Sequence, residues 1–130
     1  MIDDKYFRPA ETKTDAYRLS DELYGRMCLH ALYLTRNYGT VMRLQQNGGY
    51  LISCIDHAHV FGKGSNCHMK NIPANIIPLN RFSHSMIDQS IDPVILKLMG
   101  SGGREKFFTE MVGEEIYKKL EEIRRAYYGN

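Results

Sequence analysis

The chain has 130 residues, enough for one compact domain, with 43% hydrophobic and 25% charged residues, an ordinary balance for a globular protein. No apolar run approaches the roughly 20 residues of a membrane span, and the polar, acidic start "MIDDKYFRPAETKTDAYRL" lacks the apolar core of a signal peptide. The net charge of +2 neither demands nor excludes nucleic acid, and three irregularly spaced cysteines (Cys28, Cys54, Cys67) argue against a disulfide framework and for a reducing, cytoplasmic location.

Residues 1–13 read as an irregular arm with Pro9 and few apolar anchors. From Asp15 to about Asn37, Leu23, Met27, Ala31 and Leu34 recur at helical spacing, and Tyr17 and Tyr24 extend that face. "NYG" at 37–39 reads as a helix stop, since Gly39 can take left-handed backbone. "TVMRLQQ" predicts a second short helical piece before "NGG" at 47–49. "YLISCI" (50–55) is β-branched and aromatic and predicts a strand, whereas 56–74, polar and punctuated by Gly62, Gly64 and Pro73, predicts a long loop. "NIIPLN" (75–80) predicts a second strand, at an edge or broken because of Pro78.

"RFSHSMIDQ" (81–89) then sets Phe82, His84 and Met86 at helix-compatible positions. Asp92 as N-cap and Pro93 at the first helical position open "DPVILKLMG", and "GSGG" (100–103) is a joint. "REKFFTEMV" predicts a short helix ending at Gly113. In "EEIYKKLEEIRRAYYG", Ile116, Leu120, Ile123 and Tyr127 form an apolar stripe, and Glu114–Lys118, Glu115–Lys119 and Glu121–Arg125 are i,i+4 pairs with the acid leading. The expected fold class is α+β: one domain in which a strand–loop–strand–helix unit at 48–89 is flanked by helical parts at 1–47 and 90–130.

The chemistry concentrates at 54–71, "CIDHAHVFGKGSNCHMKN". Cys54, His57, Cys67 and His68 have the form C-x2-H-x9-C-H and would make a zinc-stabilised structural domain, but adjacent ligands such as Cys67 and His68 fit one tetrahedron poorly. "FGKGSN" lacks the terminal Lys-Ser/Thr of a phosphate-binding loop. His30 and His68 read as packing or surface residues, and Tyr127 and Tyr128 as terminal helix packing rather than base-stacking groups. Between Asp56 and Asp88 lie Lys63, Lys70 and Arg81 and no acid, a basic stretch suited to a phosphate-rich ligand. A cluster of His, Asp and Asn in such a stretch suits phosphodiester hydrolysis. A neutral His, with a pKa near ~6.5, can deprotonate water. A hard divalent cation can stabilise the phosphorane and the departing oxygen.

The stretch "DHAHVFGKGSNCHMKNIPANIIPLNRFSHSMID" (56–88) resembles the ββα-metal core of HNH nucleases. In that family a His closes the first strand, an Asn opens the second, and a final His lies on the following helix. Here His59 is followed by Val60 and Phe61, Asn75 opens "NIIPLN", and His84 stands nine residues beyond Asn75. The family forms "DAGH" and "AHIFGRG" are similar to "DHAHVFGKG". The resemblance implies a DNA endonuclease with His59 as general base, Asp56 or His57 as first metal ligand and His84 as second. Asn75 would ligate the metal or fix the loop behind His59. Asp88, one turn after His84, would be a third ligand or would orient His84. Lys63, Lys70 and Arg81 would hold phosphates.

The implied cofactor is one Mg²⁺ or Mn²⁺, with Zn²⁺ as the alternative. The implied partner is DNA, whether duplex, nicked or branched, and a duplex cut would use a homodimer. Small stand-alone members occur in phages and mobile elements, where they serve recombination, packaging or host-DNA attack in the host cytoplasm. Two features depart from the family. Ala58 stands where many members carry a metal ligand, and the two cysteine pairs that bind a structural zinc are missing. They motivate an alternative, a catalytically inactive nucleic-acid- or partner-binding module that keeps the shape.

Overall fold

The computed structural model describes residues 2–38, 54–62, 66–81, 83–85 and 103–128. Lys63, Gly64 and Asp88 therefore lie outside the described residues, as do the proposed helices at 40–46 and 92–99 and most of "YLISCI". The described elements are α1 (Lys13–Tyr24), α2 (Leu29–Tyr38), β1 (Ile55–His59), β2 (Ile76–Asn80), α3 (Gly103–Val112) and α4 (Glu114–Tyr127). Short 3₁₀ turns cover Asp4–Phe7, Cys67–Met69 and Pro73–Asn75. The class is α+β. No helix among the described residues is long and apolar enough to cross a membrane.

Several local expectations shift. The helix expected from Asp15 to Asn37 is two helices, because Gly25 takes φ 80° and closes α1 by donating its N–H to the Asp21 carbonyl. A residue with a Cβ adopts that backbone only at a cost, so the apolar spacing across it could not keep one axis. Met27 consequently stands 46% exposed. The N-terminal arm is tied down: Phe7 is buried under the Lys119 ammonium, and the Ala10 N–H donates to the Asn71 carbonyl. Among the described residues β1 runs from Ile55, and Cys54, at φ 50°, turns the chain into it; residues 50–53 of the expected strand lie outside the described residues. The strand thus takes in Asp56–His59, which the polar composition had suggested as loop. Gly113, at φ 96°, makes the break between α3 and α4 that its position implied.

β1 and β2 pair antiparallel, with Asp56 opposite Leu79, His57 opposite Pro78, Ala58 opposite Ile77 and His59 opposite Ile76. Side chains alternate along a strand, and cross-strand partners share a face. His57, His59, Ile76 and Pro78 therefore line one face, and Asp56, Ala58, Ile77 and Leu79 the other. The second face joins the main core, with Ala58, Ile77 and Leu79 packed among Val60, Met69, Phe107, Phe108 and Leu120. α1 covers the first face. Its Ser20 hydroxyl donates to the Ile76 carbonyl at 2.6 Å, and its Tyr24 hydroxyl donates to the Ala74 carbonyl at 2.6 Å. Burial pushes the Tyr24 phenol well above its ordinary pKa, so it stays a donor at any working pH. Tyr24→Phe is expected to cost about 1–2 kcal/mol by stranding the Ala74 carbonyl. Urea unfolding would show a lower midpoint at unchanged slope.

α4 keeps most of its expected stripe: Ile116 and Leu120 are buried and Ile123 packs on the core. Tyr127 leaves the stripe at 62% exposure and lies flat on His68, ring centroids 3.7 Å apart, while Tyr117 is buried in its place. Glu114–Lys118 and Glu121–Arg125 pair as expected. Lys119 instead reaches Asp4, and Glu115 accepts from the Ile2 N–H. α4 also holds the turn after β1: Phe61 sits against the Tyr117 ring, with the Arg124 guanidinium over its face.

Candidate active site

Asn75 is the mechanical centre of the site. It ends the 3₁₀ turn before β2 and is completely buried. Its Oδ1 accepts from the Phe61 N–H at 2.9 Å, and its Nδ2 donates to the Phe61 and Met69 carbonyls, each at 3.1 Å. Its backbone carbonyl accepts from the Val60 N–H. All four bonds fix the chain just beyond His59 or the turn facing it. Of the two roles open to Asn75, the geometry gives loop fixation, since both amide atoms are spent on backbone.

His59 ends β1, half-buried, with Nε2 3.0 Å from the Lys70 carbonyl. A carbonyl can only accept, so Nε2 is the donor in this bond. The ring lines a pocket of about 290 Å³ with Lys13, Tyr17, Lys70 and Asn71.

His57 shares that face but is engaged elsewhere. Its ring stacks on Tyr17 at 4.0 Å, and Nε2 lies 2.9 Å from Asp21 Oδ1 and 2.8 Å from Arg26 Nη1. Arg26 also pairs with the Asp21 carboxylate at 3.2 Å. Asp56 points to the opposite face and meets His84, which sits in the helical segment 83–85, with Asp56 Oδ2 3.2 Å from His84 Nδ1. The first-ligand alternatives are thus separated in space: Asp56 lies beside His84, and His57 is bound to α1.

The helical segment is aimed by two polar contacts. Asn80 accepts from the Ser83 N–H as an N-cap, and Ser83 Oγ lies 2.8 Å from His30 Nδ1. His30 is a packing residue, buried edge-on to Phe107, as its sequence context suggested. Arg81 lies 3.4 Å from Asp56 Oδ1, on the Asp56 side of β1. Lys70 lies on the rim of the His59 pocket.

Burial raises the Asp56 carboxyl pKa, but hydrogen bonds from His84 and Arg81, with their charges, outweigh it and hold the group below the ordinary carboxylate value. A carboxylate depressed in this way stabilises the fold above its unfolded value, about 3.9, and loses that contribution as pH falls through the lower folded value. Asp56→Asn is therefore expected to lower the neutral plateau of a stability–pH curve and to flatten its acid limb below about pH 4, so that the two proteins converge at the lowest pH. Thermal unfolding across pH would read this.

The fit of a divalent cation rests on this pair. Adjacent ligands of an octahedral site with bonds near 2.1 Å lie about 3 Å apart. Asp56 Oδ2 and His84 Nδ1 already stand 3.2 Å apart, so one carboxylate and one imidazole suit neighbouring positions on Mg²⁺ or Mn²⁺. The Arg81 side chain opposes a cation there, but it is 75% exposed and its long stem can turn to solvent. Among the described residues no three His, Cys, Asp or Glu side chains converge on one point. Cys54, His57, Cys67 and His68 accordingly make no zinc cluster, and all three cysteines are unpaired thiols.

Reading by sequence alone missed the α1 side of the site: Lys13, Tyr17, Asp21 and Arg26. One signal was present, since Lys13, Tyr17 and Asp21 recur every four residues and so share a helix face. Comparison with protein-family models, curated proteins and solved structures finds no match to this chain.

Proposed function

We propose that the chain is a small metal-dependent DNA endonuclease of the HNH type. The observation that carries the reading is the union of His59 and Asn75: the buried Asn75 amide clasps the turn directly after His59, and His59 Nε2 donates to the Lys70 carbonyl, which orients the ring. A His oriented in this way, in a pocket lined by lysines, suits removal of a proton from water beside a phosphodiester. His59 takes the proton, the resulting hydroxide attacks phosphorus, and the imidazolium that forms faces an anionic substrate. A cation on Asp56 and His84 would supply the charge that stabilises the phosphorane and the departing oxygen. The antiparallel hairpin followed by the helical segment bearing His84 supports a ββα-metal core at 55–85.

A second reading, a nucleic-acid- or partner-binding module without activity, has its own observation. His59 and Asp56 lie on opposite faces of β1 and about 10 Å apart along it at the usual rise per residue. A shared phosphate must then span the strand end, and Arg81 already neutralises Asp56.

Plasmid nicking over a panel of divalent metals tests the choice. The enzyme reading expects nicked circles with Mg²⁺ or Mn²⁺, none with chelator, and a raised metal requirement for Asp56→Ala. Intact plasmid, single-stranded and branched DNA under every metal would leave the binding module.

A further inference from the structure

The pocket at His59 is built half from β1 and the turn at 70–71, and half from the first helix. None of its five lining residues is acidic, and two are lysines, so its charge suits an anion. Lys13 is the first residue of α1, where the N–H groups and partial positive charge of the helix start add to its own. Among the described residues neither Lys13 nor Lys70 forms an ion pair, whereas Arg18, Arg26, Arg81, Lys118, Arg124 and Arg125 are each matched to a carboxylate. The ammonium of Lys13 lies 5.4 Å from the Tyr17 ring centroid, and Tyr17 is stacked on His57. His57 is in turn held by Asp21 and Arg26, and α1 is pinned to the sheet by Ser20 and Tyr24. Lys13 and Tyr17 are thus presented on a braced support.

We propose that α1 is the substrate grip of this site: Lys13 and Lys70 clasp the backbone phosphates of one DNA strand on either side of His59, and the Tyr17 hydroxyl donates to a phosphate oxygen. The inference rests on the reading of His59 as general base. A volume of about 290 Å³ lies at the small end of ligand pockets, room for one backbone unit of a single strand. The stacked His57–Asp21–Arg26 cluster then has a task, to brace Tyr17 from behind. This also explains why a histidine in the middle of the histidine-rich stretch is turned toward a helix and not toward a cation.

The test is binding of a short fluorescent single-stranded DNA, followed by anisotropy over a salt series, beside steady-state cleavage. Lys13→Ala and Lys70→Ala should each weaken binding roughly fivefold and lower the slope of log affinity against log salt by about 0.7, one phosphate contact on a single strand. Lys13→Arg should bind as wild type does, and Lys13→Glu more weakly than Lys13→Ala. Lys118→Ala, which removes a surface lysine paired to Glu114, serves as control. In cleavage the Lys13→Ala loss should fall on KM and leave kcat nearly unchanged, because a phosphate grip holds ground state and transition state alike.

A wild-type protein that cuts DNA while Lys13→Ala matches Lys118→Ala in affinity, salt slope and KM overturns the grip and leaves the nuclease reading standing. A protein that binds the strand through Lys13 but cuts nothing with any metal retains the grip and removes the nuclease reading. Absence of strand binding by the wild type overturns the grip, and the nicking assay decides the nuclease reading by itself.

Discussion

His59→Ala is expected to lower DNA cleavage by about 10²–10⁴-fold, the usual contribution of a positioned general base, while the protein stays folded. The change removes a half-buried ring and its bond from Nε2 to the Lys70 carbonyl, at a cost to stability of about 1 kcal/mol for that bond. The pocket next to it keeps Lys13, Tyr17, Lys70 and Asn71, and strand binding should persist. A rate defect without a binding or folding defect is the signature of lost proton transfer. Plasmid nicking, anisotropy and thermal unfolding of the same preparation read the three quantities. Cleavage unchanged in His59→Ala would remove His59 from the chemistry, and cleavage lost together with the folding transition would assign it a structural role instead.

The largest stability effect is expected at Asn75. Asn75→Asp preserves size and keeps an acceptor for the Phe61 N–H, but it replaces the Nδ2 donor with an oxygen aimed at the Phe61 and Met69 carbonyls. A fully buried carboxylate facing two carbonyl oxygens must stay protonated or break the turn. The expected loss is about 3 kcal/mol or more at neutral pH, a large part of a typical total stability of roughly 5–15 kcal/mol. The sign of its pH dependence is opposite to that of Asp56. Burial raises the folded pKa of the introduced acid above its unfolded value, so the folded variant binds the extra proton and the defect shrinks as pH falls. Asn75→Ala, which leaves the Phe61 N–H and two carbonyls unmatched, should lose about 2–4 kcal/mol without that pH response. Comparing the two variants by thermal unfolding at neutral and mildly acidic pH separates the mechanisms. In both, cleavage should fall further than the folded fraction does, because the chain after His59 is no longer held. An Asn75→Asp protein as stable as wild type at neutral pH would show that the amide bonds described here carry no weight.

Much of the local structure is legible from residue types alone. The stripe Ile116–Leu120–Ile123 marks α4, Gly113 marks its start, and β-branched "NIIPLN" marks β2 nearly to the residue. Other elements moved for identifiable reasons. Helical spacing runs unbroken through Gly25, yet a backbone at φ 80° divides α1 from α2. Polar composition argued for a loop at Asp56–His59, yet cross-strand pairing with Ile76–Leu79 draws those residues into β1. Composition reports a preference for water, whereas a strand with one face under a helix can carry polar side chains that meet partners there. Tyr127 has an apolar body at helical spacing, but its hydroxyl end favours water, and it stacks on His68 instead of entering the core.

At the site the division is sharper. The order and spacing of His59, Asn75 and His84 are facts of the sequence, and it is through their resemblance to the HNH pattern that they single out a candidate base, a candidate loop anchor and a candidate ligand. Alternation along a strand already puts His57 beside His59 and Asp56 opposite, but the choice between them as ligand depends on what covers each side, which the sequence does not carry. α1 covers the His57 face and supplies Tyr17 and Asp21, the bend after it supplies Arg26, and the segment after β2 brings His84 to Asp56. The same holds for charge. By composition Lys70 and Arg81 are equal candidates for phosphate. In the fold Arg81 lies beside Asp56, while Lys70 faces the His59 pocket together with Lys13 from a distant part of the chain. Sequence spacing records what neighbours along the chain can do together. Which groups neutralise one another across the fold is decided only when α1 closes over the sheet.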